Sequence, residues 1–198
     1  MERDYGVWKF SGKEKAKLIL SYLGLCGLVS WLFYHSFWAV LPFLAGLPVF
    51  LKKSREKRIK ERREELLTEF LTGIRAIASA LDAGYSMENA LGEALKETEK
   101  VYGMDGVFTE ELREMERKRN LNQSMETLWA DLGKRSGLED IENFGEIFQV
   151  ARRSGGNLKE IIQSTADNIT RKTETRREIE ISLAAKKMEQ KVMSFLGM

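Results

Sequence analysis

The segment that decides the fold is Leu81-Asp82-Ala83-Gly84-Tyr85-Ser86-Met87-Glu88-Asn89-Ala90-Leu91. Gly84 readily adopts the left-handed backbone conformation that ends a helix. Ser86 has a side chain preferred at a helix N-cap, and Glu88 places a negative charge in the first turn that follows. The segment therefore predicts one helix that ends near Ala83 and a second that begins after Ser86, with a tight turn between them.

Apolar residues recur at intervals of three and four on both sides of this turn, which is typical of amphipathic helices. From residue 52 onward the chain contains no proline and is rich in Glu, Lys, Arg, Leu, Ala and Met, a composition that favours helix. The pattern predicts six helices, over about 53–83, 87–103, 110–120, 125–137, 138–153 and 158–195. The fold class expected is therefore all-α, with a bundle of about six helices over 64–193.

Further turn residues can be identified between these helices. Asn122 or Ser124 is expected to cap the fourth helix, and Ser154-Gly155-Gly156 to end the fifth. Asn157, with Glu160 three residues later, makes a capping box at the start of the sixth. Gly155-Gly156 could also bind an anion at that helix N-terminus, but a turn between helices is the favoured interpretation. The expected structural turn residues are Gly84, Ser86, Gly155, Gly156 and Asn157.

The surfaces of the predicted helices give three further expectations. Periodicity places Val101 on the inward face of the second helix and Ile147 on that of the fifth. The middle of the last helix, 170–178, is polar on every side and is expected to project from the bundle. Ser86-Met87-Glu88 recurs as Ser124-Met125-Glu126, but capping chemistry alone can place these residue types at two helix starts, so the recurrence is weak evidence of duplication.

The N-terminal part of the chain has a different composition. Residues 1–17 contain eight charged side chains, whereas the 34 residues 18–51 contain none. One helix of that length would measure about 51 Å, more than the roughly 30 Å hydrocarbon core of a bilayer. Aromatic residues around His35-Ser36 resemble an interfacial belt and divide the segment into spans 17–34 and 37–51, the second broken by Pro42, Gly46 and Pro48. The sequence predicts a transmembrane helical hairpin over 18–51; the alternative is one tilted span followed by an interfacial helix.

Basic residues flank both ends of this apolar segment, which places both ends in the cytoplasm. The basic segment 52–63 could contact lipid headgroups, bind nucleic acid or only set the topology, and topology with headgroup contact is favoured over nucleic acid. A second basic group lies among glutamates of the last helix and is better suited to protein contacts. The residues expected to contact a partner or lipid are Lys52, Lys53, Arg55, Lys57, Arg58, Arg171, Lys172, Arg176 and Arg177.

The sequence contains no recognisable catalytic constellation. The single cysteine, Cys26, and the single histidine, His35, both lie in the apolar segment, which excludes the usual zinc sites and Ser-His-Asp or Cys-His catalysis in the rest of the chain. No G-x-x-x-x-G-K-[ST] phosphate-binding loop occurs, and the acidic residues alternate with basic ones as on solvated helix faces. We therefore expect no catalytic residue, cofactor or metal, and a protein that is not an enzyme.

The order of these parts is similar to that in a known family. Residues 81–91 resemble the "L-x-A-G-x-S-x-x-x-A-L" segment of the type II secretion F-domain family. Residues 144–151, followed by Gly155-Gly156-Asn157-Leu158, resemble that family's helix and Gly-Gly turn. Residues 177–185 are similar to the stretch that leads to its later membrane helices. The resemblance covers about 66–198, and the members with this arrangement are the Tad-type pilus platform proteins.

The resemblance implies a multi-pass platform protein of the bacterial inner membrane, with the helical F domain in the cytoplasm. Such a platform belongs to a type IV pilus-like (Tad) or type II secretion machine and forms homo-oligomers. It contacts a cytoplasmic secretion ATPase and pilin or pseudopilin subunits, and couples the ATPase to extraction of pilin from the membrane. Because the family continues into further membrane helices, residues 194–198 are expected to begin one. A membrane-tethered helical signalling or sensor module is the alternative function.

Overall fold

The computed structural model describes residues 4–6, 12–34, 40–154 and 158–196, which form seven α-helices and contain no β-strand. The helices are α1 (Gly12–Tyr34), α2 (Val40–Asp82), α3 (Met87–Tyr102), α4 (Val107–Asn120), α5 (Met125–Ser136), α6 (Glu139–Ser154) and α7 (Leu158–Leu196). The fold is therefore all-α. The chain divides into two compact units, one formed by residues 1–65 with 135–137 and the other by 66–134 with 138–198.

The first unit contains α1 and the N-terminal part of α2. The rings of Tyr22 in α1 and Phe50 in α2 are in contact, with a centroid separation of 4.9 Å. α2 runs without interruption for 43 residues and includes Pro48, so the break expected at Pro42, Gly46 and Pro48 is wrong. Pro42 lies in the first turn, where its missing N–H has no helical partner, and Pro48 removes one hydrogen bond from a much longer series.

The predicted membrane hairpin over 18–51 is not confirmed. Within the described residues, no helix has both the length and the apolar character that crossing a membrane requires. The turn expected at His35-Ser36 lies outside the residues that the structure describes. The hairpin therefore stays a prediction.

An aromatic cluster from four helices forms the core of the second unit. Phe70 of α2, Phe108 of α4, Trp129 of α5, and Phe144 and Phe148 of α6 are almost completely buried. The ring of Trp129 lies 4.8 Å from that of Phe144 and 6.4 Å from that of Phe108, measured between centroids. Burial of such large rings is a main source of stability in a bundle of this size. The aromatic centre of the core therefore lies where α2, α4, α5 and α6 meet, and buried residues of α3 and α7, such as Leu91 and Ile162, extend it.

Two residues expected to face inward are exposed, so these predictions are wrong. Val101 is 53% exposed because it lies in the last turn of α3, after the final buried residue, Thr98. Ile147 is 41% exposed. The buried residues of α6 form a narrow stripe, and Ile147 lies just beyond its edge. The larger apolar members of this stripe, with Ala151 at its end, are Ile141, Phe144 and Phe148.

The start of α4 also differs from the prediction. The helix begins at Val107, three residues before the expected Glu110, and its N-cap residue Gly106 has no side chain with which to cap it. The N–H of Phe108 instead donates to the carboxylate of Glu69 in α2, at 2.8 Å. A capping group 39 residues away gives no local signal, which is why the sequence pattern missed the first turn.

α7 is a helix of 39 residues with two different environments. Its first part packs against α6, and Thr170 accepts a hydrogen bond of 2.8 Å from Arg75 of α2. From residue 174 to 194 every described side chain is exposed. Of the segment 170–178 that was expected to project from the bundle, residues 174–178 are exposed, whereas Thr170 contacts α2. A further membrane helix beginning at 194–198 stays a prediction, since 197–198 lie outside the described residues.

Candidate functional site

The α2–α3 and α4–α5 connections have the same hydrogen-bond pattern. After α2, Gly84 has a φ of 88°, and the N–H of Tyr85 donates to the carbonyl of Ala80, five residues earlier. After α4, Asn122 has a φ of 63°, and the N–H of Gln123 donates to the carbonyl of Lys118, again five residues earlier. Both helices therefore end in a Schellman motif with a left-handed residue.

The helices that follow these turns also begin in the same way. Ser86 accepts a hydrogen bond from the N–H of Asn89 and Ser124 one from the N–H of Thr127, each at 3.3 Å. Ser124 is thus the cap of α5, while Asn122 ends α4, so both residues proposed as caps act at helix ends. Met87 and Met125 come next, and both are buried. The recurrence of Ser-Met-Glu is therefore part of a repeated helix–turn–helix corner, which the three-residue match alone could not establish.

A single arginine of α6 joins the two corners. Arg152 Nη1 lies 3.2 Å from Glu88 Oε1, and Arg152 Nε lies 2.9 Å from Glu126 Oε1. Glu88 and Glu126 are the second residues of α3 and α5, where the free backbone N–H groups also favour a negative charge. Arg119, in the last turn of α4, donates to the backbone carbonyl of Glu88. The arrangement joins α3, α4, α5 and α6 through charged side chains.

The charges of this cluster stabilise one another. The pKa of Glu88 is lowered chiefly by the hydrogen bond from its own backbone N–H; burial opposes this, and the hydrogen bond and charge of Arg152 lower the pKa further. The pKa of Glu126 is lowered for the same reasons. The pKa of Arg152 is raised, mostly by its hydrogen bond to Glu88. All three groups are therefore charged at neutral pH and hold the helix starts by ion pairing.

An open groove of about 500 Å³ lies between α2 and α3. Small residues of α2, including Ala76 and Ala80, form its floor, and Glu93 and Glu97 of α3 form one wall. Near its far end, the hydroxyls of Thr72 and Tyr102 are 2.9 Å apart. Because its walls are open and polar, this groove lacks the enclosed apolar lining that a small apolar ligand requires.

The residues expected at turns fall into two groups. Gly84 and Ser86 form the corner described above. Gly155, Gly156 and Asn157 lie outside the described residues, so the turn and the capping box expected at the start of α7 stay predictions. Within the described part of the chain, no group of three or more His, Cys, Asp or Glu side chains could hold a metal ion.

The basic residues expected to contact partners lie on two different helices. Lys52, Lys53, Arg55, Lys57 and Arg58 are exposed on α2, in the first unit. On α7, in the second unit, Arg176 and Arg177 are exposed, and Arg171 donates to Asn168.

Lys172 differs from the other basic residues of this set. Its Nζ lies 2.6 Å from Asp140 Oδ1, and the Asp140 side chain is almost fully buried. Lys172 therefore joins α7 to α6 by an ion pair within the bundle. No local sequence pattern indicates this pair, because Asp140 is 32 residues away from Lys172.

The described residues thus define an all-α domain whose charged side chains join its helices and whose last helix is exposed from residue 174 to 194 wherever its side chains are described. The family model for type II secretion system (T2SS), protein F, matches residues 74–197, which include both repeated corners and Arg152. Since this match covers more than half of the chain, the chain belongs to the type II secretion system protein F family. Proteins of this family are membrane platform components of secretion and pilus systems. No curated protein and no solved structure matches the chain.

Proposed function

We propose that this chain is a non-enzymatic platform protein in the bacterial inner membrane, within a type IV pilus-like (Tad-type) or type II secretion machine. In this role it couples a cytoplasmic secretion ATPase to the extraction of pilin or pseudopilin subunits from the membrane. The observation that carries the proposal is the family match over 74–197. Residues 18–51 form a membrane hairpin, both chain ends are in the cytoplasm, and the helical domain faces the ATPase there.

The C-terminal half of α7 is the surface best suited to contact other components of the machine. It exposes apolar side chains that a soluble helix normally buries: Ile179, Ile181, Leu183 and Met188 are each more than half exposed. Charged residues such as Arg176 and Arg177 surround them. Exposed apolar side chains with charged neighbours are typical of a protein–protein contact, either with the ATPase or with a second copy of the chain.

Purification of the full chain from detergent-solubilised membranes tests the role. We expect a secretion ATPase and a pilin to co-purify with the wild-type chain, and Ile181→Asp to weaken this association. Val101→Asp is the matched control, since Val101 is an exposed apolar residue on α3, and it should leave the association unchanged. A chain that purifies alone from cells with assembled pili contradicts the proposal.

A reporter inserted after Ser36 tests the topology separately. The hairpin places Ser36 on the periplasmic side, so a reporter active only in the periplasm should be active there and inactive at the C-terminus. Activity of a cytoplasmic reporter at Ser36 would favour one tilted span with an interfacial helix.

A further inference from the structure

Three lysines form a row on one face of α2. Lys53, Lys57 and Lys60 follow one another at intervals of four and three residues, so their side chains leave the helix in nearly the same direction. Together with Phe50, Ser54 and Glu56 they line a groove of about 460 Å³, in which three lysines stand against one glutamate. We call this set of three lysines the lysine face.

The lysine face is only weakly neutralised by the protein. Lys57 Nζ lies 3.7 Å from Glu61 Oε1, and Lys60 Nζ lies 3.5 Å from Glu64 Oε1. The side chains of Lys57 and Lys60 remain 78% and 69% exposed. Ion pairs that are this exposed hold a lysine weakly, so the ammonium groups can turn towards a ligand of higher charge density.

The position of the lysine face along α2 indicates which anion it meets. Phe50 marks the apolar end of the groove, and Lys52 directly follows the uncharged residues 18–51. Lys60 lies about 14 Å along the helix from Leu51. An anionic surface attracts cations over a Debye length of roughly 10 Å, and the long lysine stem extends this reach. All three ammonium groups can therefore approach phosphates in a headgroup layer that begins near Phe50.

We propose that the lysine face binds the phosphate group of an anionic membrane lipid, with the lipid chain beside Phe50. The proposal rests on the membrane location proposed above. It differs from a general effect of positive charge near a membrane, which sets topology without selecting a lipid. A groove that combines a row of amines with an apolar end discriminates between an anionic and a zwitterionic headgroup.

Native mass spectrometry of the full chain in detergent tests this selectivity, with phosphatidylglycerol and phosphatidylcholine added in parallel titrations. We expect the wild-type chain to retain phosphatidylglycerol about tenfold more than phosphatidylcholine, since each exposed lysine contributes about twofold, below the limit of about fivefold per lysine, and three such contributions multiply to roughly this ratio. The variant Lys53→Gln/Lys57→Gln/Lys60→Gln should reduce this preference to about twofold or less.

Two further triple variants separate position from charge. Lys96→Gln/Lys100→Gln/Lys134→Gln removes the same charge from exposed side chains of the second unit and should keep the wild-type preference. Lys52→Gln/Arg55→Gln/Arg58→Gln removes three positive charges from other faces of α2. This variant should lose less of the preference for phosphatidylglycerol than the lysine-face variant. An equal loss in this last variant, or no lipid preference in the wild-type chain, overturns the proposal.

Further measurements distinguish a lipid from other anionic ligands, and a failure of the lysine-face proposal from a failure of the proposed function. Displacement of the lipid by millimolar inorganic phosphate would assign the groove to free phosphate, and binding of an oligonucleotide lost in the same variant would assign it to nucleic acid; either result overturns the proposal. Fractionation of the cells provides the remaining distinction. A chain found in membranes without lipid preference overturns the lysine face alone, whereas a chain absent from membranes overturns the proposed function.

Discussion

The carboxylate of Glu69 accepts a hydrogen bond of 2.8 Å from the backbone N–H of Phe108, which lies 39 residues further along the chain. Glu69 is buried and serves as the N-cap that Gly106 cannot provide for α4. Gly106 leaves room for this contact, because a Cβ atom at this position would lie 2.6 Å from Thr109 Oγ1 and 2.9 Å from the Glu69 oxygen, so these side chains would have to shift. The position of α2 therefore determines where α4 begins.

Replacement of Glu69 by alanine should destabilise the protein by about 1–3 kcal/mol, because it leaves the buried N–H of Phe108 without an acceptor. Urea unfolding of the full chain, followed by circular dichroism, measures this change in the free energy of unfolding. Glu65→Ala, one turn earlier and exposed, is the control and should change stability by less than about 0.5 kcal/mol. Equal effects of the two substitutions would contradict a capping role for Glu69.

Replacement of Arg152 by methionine should destabilise the bundle by about 1 kcal/mol, since two partly exposed ion pairs are lost while the aliphatic stem is retained. Arg153→Met, at the neighbouring exposed position of α6, is the matched control and should have little effect. A double-mutant cycle with Glu88→Gln measures the coupling directly. A coupling energy of zero would show that Arg152 does not hold the start of α3.

The stability of the bundle should fall in acid because of Glu88 and Glu126. Both have pKa values below the ordinary 4.5 in the folded protein, so their contribution is complete above that pH and is lost as the pH falls through the lowered values. Glu88→Gln/Glu126→Gln should therefore be less stable than the wild type at neutral pH, by less than about 1 kcal/mol for these partly exposed groups. Urea unfolding from about pH 7 to about pH 3 should show the difference disappearing.

Substitution of Gly133 by alanine should destabilise the protein by about 1–3 kcal/mol, since a Cβ atom there would lie 2.9 Å from the Cα of Glu142 and the backbone of α6 cannot move aside at low cost. Gly92→Ala provides the contrast. Its Cβ would lie 3.3 Å from the flexible end of Glu116, so higher helix propensity should make the variant as stable as the wild type or up to about 1 kcal/mol more stable. Thermal unfolding should show a lower Tm for Gly133→Ala and an unchanged or higher Tm for Gly92→Ala.

Truncation of Trp129 to alanine should destabilise the core by about 3–5 kcal/mol, because it removes the central ring of the aromatic cluster. Trp129→Phe should have a much smaller effect. The indole Nε1 is buried and has no hydrogen-bond partner among the described residues, so phenylalanine sacrifices volume but no hydrogen bond. A loss as large for Trp129→Phe as for Trp129→Ala, measured by urea unfolding, would reveal a polar partner for the indole.

The parts of the fold that were predictable depend on contacts between near neighbours in the chain. Gly84 and Ser86 mark the α2–α3 corner because a Schellman motif and an N-cap are completed within about five residues. The recurrence of apolar residues at intervals of three and four predicted the helices and most of their buried faces, because it too depends on residues close together in the chain. At Asn122 and Ser124 the local chemistry permits either residue to cap, and only the position of the two helix ends assigns one role to each.

The sequence by itself thus determined the all-α class, the order of the helices and the resemblance to the family, since these depend on local periodicity, turn residues and motif order. The tertiary structure alone decided which edges of the helices are covered, leaving Val101 and Ile147 exposed. It also decided that Glu69 caps α4, that Lys172 joins Asp140, and that Arg152 links two corners whose acidic residues lie 64 and 26 residues away. These pairs form only when packing of the aromatic core brings distant helices together. Local sequence patterns do not indicate which distant residues become neighbours.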